Sequence, residues 1–295
     1  MTKVLKSLLS TSVVAFTAFM FTSFPASAGW VDYFTADDAV ELRVPFKPGG
    51  LSGQLAETLA ASADKSLNAK VEYLGNCKSA QQIFEKGEGE LYIYPLAHAS
   101  IGKCQWNMTS DNVVDIPYAQ TLSMCYQTSR SELGADHYRS NAEKTVATVY
   151  NWMLFANSWN KDMGLSNAKV ITVGRASDVL AASYTNESDY YLLDTSTAVK
   201  HTDRLTCIFN TGDTNVNNTI TLKEFAPEVK NSLIYHSQML VTPDTTKVTK
   251  LREIAKKLKV GNAWNTRTSD PGVKANIDDP AAFFTEQTAI IKEVQ

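Results

Sequence analysis

The residues best placed to do chemistry in this chain are a short run, Lys47-Pro48-Gly49-Gly50, followed by Leu51 and Ser52. If a helix opens near Ser52, with the serine hydroxyl as its cap, its first amides lack intrahelical partners and carry partial positive charge. Gly49, Gly50, Leu51 and Ser52 can then present those amides to a carboxylate, and glycine matters because no Cβ blocks the approach. The chemistry implied is anion binding. Residues for bond-breaking chemistry are harder to assemble, since GxSxG, HExxH, GxxxxGK[ST] and GxGxxG are all missing from the sequence. His98, His137, His201 and His236 have no paired spacing, and Cys77, Cys104, Cys125 and Cys207 form no CxxC pair. Neither a metal nor a cofactor is expected.

The elements that must position the Gly49-Gly50 turn follow from hydrophobic periodicity. Residues 1 to 28 read as a cleaved signal peptide: Lys3 and Lys6, an apolar run from Leu8 to Phe24, then Ala26-Ser27-Ala28 as a cleavage site. Taking 28 from 295 residues leaves 267, enough for two ordinary domains. Losing two lysines moves the formal charge from −3 to −5, a poor balance for nucleic acid. An even number of cysteines in an exported chain points to two disulfides.

Beyond residue 28, short apolar runs alternate with amphipathic stretches, the pattern of βαβ units around a mainly parallel sheet. Strands are expected at 40–44, 70–73, 90–94, 119–127, 144–149, 169–173, 190–194 and 204–210. Leu55, Ala56, Leu59, Ala60 and Ala63 share one face of the helix after the glycine turn. Thr242-Pro243-Asp244 and Asp279-Pro280 each signal a helix start, and residues 262 to 278, with Pro271-Gly272, read as a surface loop. Trp152 and Trp159 are expected in the core.

LRVPFKPGG (Leu42 to Gly50) resembles the strand and VPFxPGG turn that open the periplasmic receptors of tripartite tricarboxylate transporters. The resemblance continues in order through EGELYIYPLAHAS (Glu88 to Ser100), IPYAQTLSMCYQTSRSEL (Ile116 to Leu133), ASDVLAASYTNESDYYLLDTSTAVKH (Ala176 to His201) and Arg204 to Asp213. TLKEFAP (Thr221 to Pro227), VTPDTTKVTKLREIAKKL (Val241 to Leu258) and DPAAFFTEQTAIIKEV (Asp279 to Val294) complete it. Three departures stand out. Gly53 replaces the family's acidic residue after the glycine turn. Gly75-Asn76-Cys77-Lys78 replaces a glycine-rich loop, and Val149-Tyr150-Asn151-Trp152 a Gly/Ser-rich one.

The resemblance implies an α/β, type 2 periplasmic binding protein fold: two α/β domains joined by crossing hinge strands, with a ligand cleft between them. Domain one is expected at residues 29–122 and 211–295, and domain two at 123–210. On that topology Cys125 and Cys207 lie on the crossing strands and pair, leaving Cys77 with Cys104. The ligand, a small organic acid, is expected at Gly49, Gly50, Leu51 and Ser52, with Ala97 and His98 after the third strand. Tyr150, Asn151, Gly174, Arg175, Thr195 and Ser196 are expected to face it from domain two, Arg175 gripping the carboxylate with a two-pronged hydrogen bond. His98, at its ordinary pKa, would make binding depend on pH near about 6.5. The loss of the acid at Gly53 argues for a ligand without an amino group. The expected protein is a periplasmic monomer that delivers its ligand to membrane transporter subunits. A secreted hydrolase with an unmarked site is the competing reading, because Ser, His and Asp distant in sequence can meet in space.

Overall fold

In the computed structural model, residues 39–100 and 104–294 are described; the signal peptide expected at 1–28 lies outside them. The first stretch runs β1 (Ala39–Val44), α1 (Leu51–Ser62), β2 (Asn68–Tyr73), α2 (Cys77–Glu85), β3 (Leu91–Pro95) and α3 (Leu96–Ser100). The second runs β4 (Val113–Gln127), α4 (Ala135–Arg139), β5 (Lys144–Val149), α5 (Tyr150–Asp162), β6 (Ala168–Val173), α6 (Ala176–Thr185), β7 (Tyr190–Asp194), α7 (Thr195–Lys200) and β8 (Leu205–Asn210). The chain then continues through β9 (Ile220–Thr221), α8 (Leu222–Phe225), β10 (Tyr235–Val241), α9 (Val248–Lys257), α10 (Asn262–Thr268), β11 (Val273–Lys274) and α11 (Pro280–Glu293). Among the described residues no helix is long and apolar enough to cross a membrane.

The strands follow the order β2-β1-β3-β10-β4-β7-β5-β6, with β8 and β11 also paired to β4. Pairing is parallel within β2-β1-β3 and within β7-β5-β6, but β4 and β10 run antiparallel to their neighbours. The sheet is therefore mixed, not mainly parallel. This is the type 2 periplasmic-binding fold, two α/β lobes joined by crossing strands. β4 does the joining: fifteen residues long and buried over its first thirteen, it pairs with β10 through Thr121 and with β7 and β8 beyond it. Pro117 breaks no ladder because it falls where the β4–β10 register shifts.

All five residues of β3, Leu91 to Pro95, are buried, as are all five of β7, Tyr190 to Asp194, which is why both read as continuous apolar runs. On one face of the first lobe, Leu55 and Leu59 of α1 pack with Leu42, Val44, Ile93, Leu240, Leu258 and Trp264. Each such leucine contributes roughly 1.5–3 kcal/mol by leaving water. The largest core cluster is continuous between the lobes, from Tyr92, Tyr94 and Trp106 through Ile116 and Met124 to Trp159 and Tyr190.

Both disulfides expected from the resemblance are present, Cys77–Cys104 and Cys125–Cys207. Cys125 and Cys207 face each other directly in the β4–β8 ladder. Three further sequence expectations fail. Residues 262–278 hold α10 and β11 rather than a loop, because Trp264 anchors an otherwise polar helix whose start bonds back to Ser62. β4 begins at Val113, six residues before the expected strand. After the Thr242-Pro243-Asp244 signal, Asp244 and not Thr242 supplies the cap, accepting the Thr246 amide at 3.1 Å ahead of a short 3₁₀ turn, and the α-helix proper waits until Val248.

Candidate functional site

The carboxyl ends of β1, β3, β5, β6 and β7 each lead into a helix, and these junctions hold the residues singled out in the sequence. After β1 the chain turns through Gly49 at φ +90°, a conformation that favours glycine, and α1 begins at Leu51 with Gly50 as its cap. No side chain caps this helix, and its first turn has no acid. A methyl group added at Gly49 or Gly50 would meet nothing within 4 Å, so both face open space. Ser52 does not cap: it is buried, and its Oγ donates to Gln238 Oε1 on β10 at 2.7 Å. Gly53 also acquires a structural reason, because a Cβ there would lie 3.0 Å from the Tyr73 ring. Tyr73 fills the space an acid would need and bonds Glu57 instead.

The second cluster joins the lobes. Asn151 Nδ2 lies 2.7 Å from His98 Nε2, and Trp152 Nε1 donates to His236 Nδ1 at 3.3 Å. Consecutive residues at the start of α5 thus reach two histidines, one on α3 and one on β10. The Trp152 N–H can only donate, so His236 accepts at Nδ1 and is neutral, and Asn151 faces His98 through its amide nitrogen. Burial pulls His98 below its ordinary value, which corrects the expectation of titration near 6.5. His236 is pulled to about 4 by burial, with Asp194 opposing. Phe46 packs on His98 at 5.5 Å between centroids. Tyr150, beside Asn151, is 55% exposed, and Ala97 is packed in the core with no polar group but its backbone.

The other junctions are self-satisfied. Arg175 caps α6 through its backbone amide, which donates to Asp178 Oδ2 at 2.8 Å. That carboxylate lies 2.7 Å from where a Cβ on Gly174 would sit. The Arg175 side chain is exposed, and no hydrogen bond or ion pair joins it to the His98–Asn151 cluster. At α7, Asp194 accepts the Thr197 amide at 2.8 Å and the Ser196 hydroxyl at 2.9 Å. Thr195 is buried between Thr121 Oγ1 at 2.7 Å and Ser123 Oγ at 2.8 Å. The Thr195 side chain thus knits β4 to α7, and the Ser196 hydroxyl is held by Asp194 at its own helix start.

Sequence reasoning missed a polar group at the crossing strands. Tyr118 of β4, opposite Gln238 of β10, donates to Gln120 Oε1 at 2.6 Å, and the Arg267 guanidinium lies 5.3 Å above its ring. Burial drives the Tyr118 phenol up to about 12; the Arg267 charge opposes this, Asp194 reinforces it and Ser196 opposes it through a hydrogen bond. Arg267 was hidden because α10 lies where Pro271-Gly272 suggested a loop. Trp152 and His236 were legible only as packing residues.

Three surface cavities of about 380, 200 and 530 Å³ are lined by other residues, the first by Asp115, Arg252 and Lys259 among them. Among the described residues no group of His, Cys, Asp and Glu is placed to hold a metal.

No family model matches the chain, and no curated protein does. Solved structures do. A TctC solute binding protein from Polaromonas, without ligand, is 14% identical over 87% of this chain and 97% of its own, with a TM-score of 0.66. MatC from Rhodopseudomonas palustris with bound malate is 15% identical over 87% and 98%, at 0.65. An R. palustris protein with adipate is 12% identical over 86% and 94%, at 0.67. At these identities the likeness establishes the fold.

Proposed function

We propose that the chain is an extracytoplasmic solute-binding receptor, a divergent relative of the tripartite tricarboxylate transporter receptors, which captures a small organic acid and hands it to membrane transporter subunits. The observation that carries the reading is the match along almost the whole of both chains to proteins whose structures hold malate and adipate. The uncapped start of α1 beside open Gly49 and Gly50 is the local feature that suits a carboxylate. The proposed site comprises the backbone of Gly49, Gly50, Leu51 and Ser52, with Ala97 and His98, then Tyr150 and Asn151 from the facing lobe, and Gly174 and Arg175 at its rim. Domain one is taken as 29–122 with 211–295 and domain two as 123–210. The receptor is a periplasmic monomer exported by residues 1–28, and it has no catalytic role.

Thermal melts and calorimetry of the purified chain against malate, succinate, adipate and citrate test this. Binding the folded state alone adds about 2.7 kcal/mol at a hundredfold excess over Kd. Saturable stabilisation by a carboxylate without turnover is expected. Turnover of simple esters or amides would replace the receptor with a hydrolase, and a preference for amino acids would overturn the argument from Gly53.

A further inference from the structure

The chain has seven arginines, and five of them have visible work. Arg43 pairs with Glu41 and Glu72, Arg130 with Glu132 and Asp189, and Arg139 with Glu228. Arg204 lies over Tyr184 beside Asp203, and Arg252 donates to the Val114 carbonyl. Of the remaining two, Arg175 is exposed, where water solvates a guanidinium at no cost. Arg267 is not: it is partly enclosed, its Nε is shielded from solvent and no acceptor meets it. Its contact is the face of Tyr118.

A shielded guanidinium N–H without an acceptor is costly, so the missing partner is informative. The acids acting on the same phenol, Asp194 and Asp270, are engaged elsewhere. Asp194 holds Ser196 and Thr197, and Asp270 pairs with Lys200 at 2.6 Å. The location points the same way. Tyr118 lies on the crossing strand opposite Gln238, which receives the Ser52 hydroxyl from the first turn of α1, and the charge of Asp194 at the start of α7 acts on the same phenol. Arg267 thus stands on the strands between the α1 start and the α7 start.

Resting on the receptor reading, we propose that Arg267, not Arg175, is the arginine that grips the ligand carboxylate, and that it restricts the site to anionic solutes. The aromatic face of Tyr118 holds the planar cation in orientation, leaving its remaining N–H groups for a carboxylate. Arg175, at an exposed rim, adds a screened charge and little affinity.

Calorimetry of the full chain with malate, succinate and adipate, for wild type, Arg267→Gln, Arg267→Lys and Arg175→Gln, decides it. Expected are at least a tenfold rise in Kd for R267Q, partial recovery in R267K, which keeps charge but loses the fork, and less than a threefold change in R175Q. Melting temperature without ligand accompanies each, and R267K carries the test if R267Q does not fold. Wild-type binding with unchanged affinity in the Arg267 variants overturns this assignment alone. A tenfold loss in R175Q returns the role to Arg175. A wild type that binds none of the three acids removes the receptor reading and this residue role together.

Discussion

Helices α1 and α6 both start at the carboxyl end of a parallel strand, yet they meet solvent in opposite ways. α1 begins at a glycine cap with no side-chain acceptor and no acid in its first turn. α6 begins with Asp178 folded back onto the Arg175 amide, and at α7 the cap itself, Asp194, accepts the Thr197 amide. Both orphan amides and macrodipole attract an anion, and at α6 and α7 the protein supplies it from its own sequence. The α1 start, like that of α5, is free of any side-chain cap or first-turn acid, and α5 brings Tyr150 and Asn151 from the facing lobe. On the receptor reading, a cleft built this way would hold an anion at one wall and close over it with neutral hydrogen bonds.

The largest expected effects separate the lobes by their covalent ties. Cys125–Cys207 spans 82 positions and joins the strands that enter and leave the second lobe, whereas Cys77–Cys104 spans 27 and stays in the first. The loop-entropy argument assigns the longer closure roughly 4 kcal/mol and the shorter about 1 kcal/mol less. In Cys125→Ser/Cys207→Ser, denaturant melts should show that loss, and hydrogen exchange should show β5, β6 and β7 opening before β1 and β2. Equal destabilisation of both sheets would mean the lobes unfold as one body, in keeping with the core cluster they share.

The histidine contacts give the next effect, and its sign follows from proton counting. His236 titrates at about 4 when folded, and His98 is also lowered, both chiefly by burial. An unfolded histidine titrates near about 6.5, so between those values the unfolded chain binds more protons and stability falls as pH falls. The stability is complete above about 6.5 and lost on the way down to about 4. For His236 the loss is on the order of 2–3 kcal/mol, trimmed by the residual exposure of the residue. Carboxylates with lowered pKa, such as Asp189, add their loss only as pH drops below their ordinary range. Melting temperatures across pH 4 to 7 should slope in wild type and flatten in His98→Gln/His236→Gln. An unchanged slope would leave the two contacts between lobes without a role in pH response.

Much of this was legible before any coordinates. The runs at 91–94 and 190–194 are buried on both faces and the run at 40–44 alternates, and strands mark themselves in either way. The glycine turn announced an open helix start. The positions of Arg267, Tyr118 and Gln238 were not legible, because they meet through a β4–β10 pairing of residues 120 positions apart and a polar helix fixed by one tryptophan. Ser52 misled for a related reason: a hydroxyl in a first helical turn reads as a cap, and only tertiary packing gives it Gln238 as partner. Thr195 and Ser196 misled likewise, since nothing local distinguishes a hydroxyl facing a cleft from one bonded to the neighbouring strand.

Exchanging the two kinds of helix start tests the opening contrast directly, from the α1 side first. Gly50→Asp gives α1 the self-supplied carboxylate it lacks, at a position with open space around it. Gly-to-Asp at a cap changes stability by only a few tenths of a kcal/mol, but the new charge should occupy the amides and raise the Kd for malate at least tenfold in calorimetry. Undiminished binding would remove the α1 start from the site.

The reciprocal change is smaller and sharper. Asp178→Ala removes the carboxylate beside Gly174 and leaves the Arg175 amide without its acceptor. Losing this half of a cap should cost about 0.5–1 kcal/mol in denaturant melts, little because the junction is exposed and water can replace the bond. The α6 start then presents a free amide of its own, next to the Arg175 cation. If occupancy by Asp178 is what keeps anions off this helix start, the variant should be stabilised by added sulfate more than wild type is, by a degree or two in melting temperature. Equal stabilisation of the two proteins would mean that the α6 start does not attract anions even when uncovered. The difference between the lobes would then lie in backbone geometry and not in which of them carries its own acid.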